Sequence, residues 1–117
     1  MVKEFIWQIR VYYEDTDAGG IVYYANYLRF FERARTEYLR EVGYCQKSLM
    51  EQGAIFVVRS LLIEYRKPAY LDQRIEIRTE ILKAGKVSFN FSQEAFTVEG
   101  ELLCGACLLY TSPSPRD

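Results

Sequence analysis

The chain has 117 residues, half of them hydrophobic and 15% aromatic, with a formal net charge of -1 and no histidine. That composition is enough for one core and one domain, and it excludes a disordered chain and a broad basic surface for nucleic acid. The missing histidine excludes a Ser-His-Asp triad, a Cys-His pair, a histidine-dependent dehydratase and any histidine-ligated metal site, so catalysis falls to carboxylate, hydroxyl, backbone amide or thiol groups.

Residues 5–13 read as a strand, because Phe5, Trp7, Ile9 and Val11 share one face while Ile6, Gln8 and Arg10 share the other. Residues 14–20 carry the turn chemistry of a loop, ending in Gly19-Gly20. The spacing predicts a helix over residues 26–42: Tyr27, Phe31, Ala34, Tyr38 and Val42 form one stripe. Leu28, Phe30 and Leu39 widen that stripe, and Arg33 and Glu37 form an i,i+4 pair on the wetter side. Gly43 is a natural helix stop, and residues 48–52 allow a short helical turn ended by Gly53.

The pattern then changes to strands. Residues 54–66 are β-rich and mostly apolar, and Pro68 ends them. Residues 74–82 alternate, with Ile75, Ile77, Thr79 and Ile81 on one face; Ala84-Gly85-Lys86 is a turn. Residues 87–98 alternate again, with Val87, Phe89, Phe91, Gln93 and Ala95 on one face, and Glu99-Gly100 leads into a last strand over residues 101–109. One strand, one helix and four strands joined by short turns predict an α+β domain with antiparallel neighbours.

Two further features bear on organisation. The N-terminus lacks the long apolar run of a signal or membrane segment, and Cys45, Cys104 and Cys107 read as reduced thiols acting as small buried hydrophobes, so the expectation is a cytoplasmic protein with no metal, no cofactor and no membrane insertion. Residues 107–117, CLLYTSPSPRD, resemble the translated read-through of a transposon-based sequencing adapter. The domain is accordingly expected over residues 1–106, with residues 107–117 set apart from functional argument. The rival reading is a genuine short polar tail.

The chemistry concentrates in residues 12–35, YYEDTDAGGIVYYANYLRFFERAR. Asp15 and Asp17 stand just before a Gly-Gly turn, and a helix begins a few residues later. A carboxylate close to the unpaired amides of a helix N-terminus makes a basic toolkit: one nucleophile or base, and an oxyanion hole. It suits a thioester, whose thiolate leaves readily without a general acid. The carboxylate can attack through a mixed anhydride or act as base for a water, and the residues leave both routes open. The competing structural reading is a capped turn whose aspartates bond only local amides.

The segment VYYEDTDAGGIVYYANYLRFFERARTEYL resembles the signature of hotdog-fold acyl-CoA thioesterases, in particular the Tol-Pal-associated YbgC-type branch and its 4-hydroxybenzoyl-CoA thioesterase relatives. The likeness continues more loosely through FVVRSLLIEYRKPAYLDQRIEIRTEI and the strands after it. It implies a single hotdog domain, an antiparallel sheet wrapped around one long central helix, and hydrolysis of acyl-CoA with a short aliphatic or aromatic acyl group. It also implies roles by position. Asp17 matches the catalytic carboxylate, Asp15 an aspartate that shapes the loop, and Gly20, Ile21, Tyr24 and Ala25 the run whose amides polarise the thioester carbonyl, with Tyr24 the main donor. Many YbgC-type members have histidine at the position of Tyr24, so the tyrosine is a departure that bears on substrate preference; its ring serves as pocket wall or as hydrogen-bond donor. Lys83 and Lys86 match positions that contact CoA phosphates, with Arg66 and Lys67 as weaker candidates. Asn26, Tyr27 and Glu32 read as cap, core and helix surface or subunit contact. Homodimers with sites at the interface, often paired into tetramers, are implied as well. The alternatives are a non-catalytic acyl-CoA or acyl-carrier binding module, and a hotdog hydratase, which the missing histidine disfavours.

Overall fold

Alternation at period two builds a sheet whose inner face is laid down in rows. The computed structural model describes residues 4–41, 57–84 and 88–111, the side chains of residues 83 and 84 excepted. Its elements are β1 (Phe5–Arg10), a short 3-10 turn (Tyr13–Asp15), α1 (Asn26–Glu41), β2 (Val57–Tyr65), β3 (Arg74–Ala84), β4 (Ser88–Thr97) and β5 (Leu102–Thr111). The strands form one antiparallel sheet in the order β1-β3-β4-β5-β2. Cross-strand partners share a face, so the register gives inner rows Trp7–Ile77–Ala95–Cys104–Tyr65 and Phe5–Thr79–Gln93–Ala106–Ile63.

The helix lies over this face, against β3 and β1. The expected stripe is the buried one: Tyr27, Phe31, Ala34 and Tyr38 are all but inaccessible, and Phe30 joins them. Each large side chain removed from water contributes roughly 1.5–3 kcal/mol, which is why the helix is fixed by packing rather than by propensity. Small residues, Ala95, Cys104 and Ala106, occupy the buried centre of the sheet. The architecture is that of a hotdog domain.

Several expectations change. The first strand stops at Arg10, not residue 13, because the chain turns into the 3-10 turn to bring Asp15 inside. Leu28 does not widen the buried stripe but stays exposed. Glu37 pairs with Arg40 one turn on rather than with Arg33, an exposed pair of little energetic weight. β2 and β3 follow one another but are not neighbours: residues 66–73 carry the chain across, and β2 pairs with β5 instead. β5 continues past Ala106 to Thr111, paired with β4 on one side and β2 on the other; this fixes the placement of residues 107–111 and says nothing of their origin. Val42 at the end of the expected stripe, Gly43, Cys45, residues 48–56, the Gly85-Lys86 turn, Val87 and residues 112–117 lie outside the described residues.

A second layer of organisation is polar. Arg35, nearly buried, donates through Nε to the Tyr110 hydroxyl at 2.5 Å and through a terminal nitrogen to Gln93 Oε1 at 2.9 Å. The Gln93 amide donates in turn to the Phe31 carbonyl and to Thr79 Oγ1, both at 2.9 Å. One glutamine on β4 thus ties helix, sheet and a buried cation together. No carboxylate faces Arg35 among the described ion pairs.

Candidate active site

The loop between β1 and α1 is held at both ends. Asp15 is 5% exposed and accepts two hydrogen bonds, from the Tyr12 amide and from the Asn26 side-chain amide, each at 2.9 Å. It therefore clamps the start of the loop to the start of the helix. Asn26 was expected as a cap; its side chain reaches back to Asp15 instead. Replacing Asp15 with Ala leaves the buried Asn26 amide and the part-buried Tyr12 amide without acceptors, at about 1–3 kcal/mol for a buried donor. We expect Asp15→Ala to lose about 3 kcal/mol of stability in urea unfolding, and a loss below 1 kcal/mol would show that the clamp is not structural.

The outer edge of the loop is stitched to the β2–β3 connection. Val22 N donates to Ala69 O at 2.8 Å, Leu71 N to Gly20 O at 3.1 Å, Asp72 N to Val11 O at 2.9 Å and Val11 N to Gln73 O at 2.9 Å. Between these stitches the chain turns at residues 17–20, with Gly20 N donating to Asp17 O at 3.0 Å. Gly20 has φ +78°, a conformation that costs a residue with a Cβ but not glycine. A Cβ on Gly19 would meet Asp17 Oδ1 at 3.3 Å, so the first glycine also makes room for the carboxylate.

Asp17 occupies the exposed tip. Its Oδ1 accepts the Gly19 amide at 2.8 Å, and its own amide donates to Ile21 O at 2.9 Å. One oxygen is therefore oriented and the other has no protein partner among the described hydrogen bonds. Asp15 and Asp17 differ in role for a plain reason: one is buried and fully occupied, the other exposed and half free.

Of the amides expected to face a carbonyl, that of Gly20 is taken up by Asp17 O, and the first amides of the helix itself are taken up as well. Asn26, Tyr27 and Leu28 donate to Tyr23, Tyr24 and Ala25 carbonyls at 3.0, 3.2 and 3.1 Å, so the first helical turn is closed on itself. The amides of Tyr23, Tyr24 and Ala25, just before α1, have no acceptor among the described hydrogen bonds. Tyr24 itself is 69% exposed, its ring 4.6 Å from that of Tyr65. The Tyr65 hydroxyl donates to the Tyr24 carbonyl at 3.0 Å.

Beneath these rings sit Tyr27 and Cys104. Burial pushes the Tyr27 phenol up to about 12, and its hydroxyl lies near the Ala69 amide without forming an ordinary hydrogen bond. Burial likewise pushes the Cys104 thiol up to about 12, so it stays protonated and is no nucleophile at neutral pH. Cys104 and Cys107 stand in a Cys-x-x-Cys spacing, but on a strand that spacing sends the two side chains to opposite faces; both are free, and Cys107 is exposed, against the expectation of burial.

The remaining candidates are scattered. Lys83 sits on β3 opposite Asn90, and Lys86 lies outside the described residues. Arg66 lies 3.7 Å from Glu64, and Lys67 is paired with Glu101, which raises its pKa. Glu32 is exposed on α1 and accepts from Thr36 Oγ1 at 3.1 Å. Tyr65 was missed as a site residue, although period-two counting along β2 places it on the inner face with Leu61 and Ile63.

With this geometry in hand, the family model for the thioesterase superfamily matches residues 19–104, from the glycine turn through most of the sheet. The chain belongs to this superfamily. It is 48% identical over 111 residues to the acyl-CoA thioester hydrolase YbgC of Escherichia coli, covering 95% of this chain and 83% of that one. A probable thioesterase from Bartonella henselae superposes with a TM-score of 0.88 at 34% identity, covering 96% of this chain and 93% of that one. The 4-hydroxybenzoyl-CoA thioesterase of Pseudomonas sp. strain CBS-3 shares the fold, with a TM-score of 0.83 at 24% identity over 95% of this chain and 85% of that one. Among the described residues no group of His, Cys, Asp and Glu is arranged to hold a metal ion, and no helix is long and apolar enough to cross a membrane.

Proposed function

We propose that this thioesterase-superfamily chain hydrolyses acyl-CoA thioesters, with Asp17 as its carboxylate and the amides of Tyr24 and Ala25 as the oxyanion donors. The single observation that carries this is an exposed, half-free Asp17 carboxylate held by an Asx turn in a chain 48% identical to an acyl-CoA thioester hydrolase. Attack on the thioester carbon places negative charge on its oxygen, where unpaired amides lower the barrier. In the base route Asp17 takes a proton from water, the carbon–oxygen bond forms, the carbon–sulfur bond breaks, and the proton ends on the thiolate or in solvent. In the nucleophile route Asp17 forms the anhydride first and water then cleaves it. The products are the free acid and coenzyme A in both. Residues 1–106 form the domain responsible, and Lys83 and Lys86 take the CoA phosphates.

The test is a panel of short aliphatic and aromatic acyl-CoA esters with thiol release followed by a thiol-reactive dye. Turnover is expected; tight binding without turnover across the panel would instead mark a non-catalytic binding module. Comparing esters with and without the 3′-phosphate reads the contribution of the lysines to KM.

We further propose a homodimer assembled through β2. This strand is one of the two edges of the sheet, and Val57, Val58, Leu61, Leu62 and Tyr65 are all exposed along it, with Leu62 69% exposed. A nine-residue edge strand with six apolar side chains is a ready partner for a second copy, by strand pairing or by packing. Sedimentation at micromolar concentration is expected to give a dimer or a dimer of dimers, and a monomer throughout would refute the assembly.

A further inference from the structure

Tyr65 contributes nothing to the sequence motif, yet it is the described side chain that reaches the backbone of the proposed oxyanion hole. It lies on edge strand β2, 41 residues from Tyr24, and its hydroxyl donates to the Tyr24 carbonyl at 3.0 Å. We propose that Tyr65 is a positioning residue for thioester hydrolysis, holding and polarising the peptide unit whose amide belongs to Ala25. This inference rests on the reading of Asp17 and the open amides given above.

The physical argument starts from the peptide plane. The Tyr24 carbonyl and the Ala25 N–H belong to one planar trans unit and point in opposite directions. The carbonyl accepts twice, from Tyr27 N at 3.2 Å within the helix turn and from Tyr65 Oη. With the carbonyl drawn into the helix turn, the Ala25 amide is aimed out of the helix start. Hydrogen bonds accepted at the oxygen withdraw density from the nitrogen and strengthen the N–H as a donor, the cooperative effect seen in hydrogen-bond chains. The neighbouring open amide, that of Tyr24, has only the first kind of support: its Tyr23 carbonyl accepts Asn26 N at 3.0 Å.

The placement of Tyr65 is itself over-determined. It faces Cys104 across the β2–β5 ladder. Its ring packs 4.6 Å from Tyr24 and 5.7 Å from Tyr27. Burial raises its pKa, so the phenol stays a donor through the neutral range. The ring contacts orient the hydroxyl, and the hydroxyl orients the peptide.

Tyr65→Phe separates these two roles because it keeps the ring and removes the donor. Removing a direct oxyanion donor costs about 10²–10³-fold in kcat, so losing an indirect one is expected to cost about tenfold. KM and the thermal midpoint are expected to stay near wild type. The readout that a purely structural role would not move is the carbonyl stretch of a bound ester. In an Asp17→Asn background, the carbonyl-labelled panel ester turned over fastest by wild type should vibrate at higher frequency once Tyr65→Phe is added, because the carbonyl is less polarised. A kcat within twofold of wild type together with an unshifted band would overturn the inference. If Tyr65→Phe is silent while Asp17→Asn is inactive, only the role of Tyr65 fails; if Asp17→Asn is fully active, the underlying reading fails.

Discussion

Asp17→Asn should abolish most turnover and leave the fold untouched. A carboxylate acting as base or nucleophile supplies about 10²–10⁴-fold, or roughly 3–5 kcal/mol of barrier, and an amide can do neither job. The fold should survive because Asp17 is exposed and its side chain makes one hydrogen bond among the described residues, to the Gly19 amide at 2.8 Å. An asparagine oxygen accepts that same bond and supports the same Asx turn. Unfolding free energy is therefore expected to stay within about 0.5 kcal/mol of wild type, as for other exposed sites without special contacts. The diagnostic result is the combination: kcat down at least a hundredfold with an unchanged urea midpoint. Full activity would remove Asp17 from the mechanism, and inactivity through unfolding would return it to the role of a turn residue.

The second large effect concerns stability, at Gln93. Gln93→Leu keeps a similar volume but takes the acceptor at 2.9 Å from Arg35 and the donor from Thr79. A buried cation left without its partner costs about 3–5 kcal/mol. Arg35 keeps the Tyr110 hydroxyl, which places the expectation at the lower end, about 3 kcal/mol. The control is Arg35→Met combined with Gln93→Leu. If the cost is that of an orphaned charge, the double variant should regain much of the loss, since apolar replacement of a whole buried polar network is often neutral or better. An additive double variant would instead assign the cost to packing around β4.

How much of this was legible in the sequence differs between elements. Tyr27, Phe31, Ala34 and Tyr38 announced both the helix and its buried face, and the odd positions of β3 and β4 announced theirs, because periodicity is a local signal. Gly20 was legible as a turn residue for the same reason: its positive φ is a demand made within four residues. Arg35 was not. A cation on a helix reads as solvated, and only the arrival of Gln93 and Tyr110 from β4 and β5 makes its burial tolerable. The exposure of Leu28 and the choice of Arg40 over Arg33 as partner of Glu37 were decided in the same way, by which neighbours the fold supplied.

The functional loop shows the division most clearly. The sequence by itself determined the residue types: two aspartates, the glycine pair, the tyrosines and a helix directly after them, and with them the membership of the thioesterase superfamily. The resemblance assigned Asp17 the catalytic role and Asp15 the shaping of the loop, but local spacing could not show that they differ in burial, which the fold decides by closing the Tyr12 amide and the Asn26 side chain onto Asp15. Nor could local spacing reveal that the first helical amides are spent within their own turn, leaving those of Tyr23, Tyr24 and Ala25 open, or that Tyr65 bonds the Tyr24 carbonyl from 41 residues away. Those are facts of sheet order. β2 pairs with β5 rather than with its sequence neighbour β3, and that pairing sets the end of β2 beside the start of α1. Local pattern fixes which face of a strand is apolar; only the free energy of the whole assembly decides which strand lies beside which.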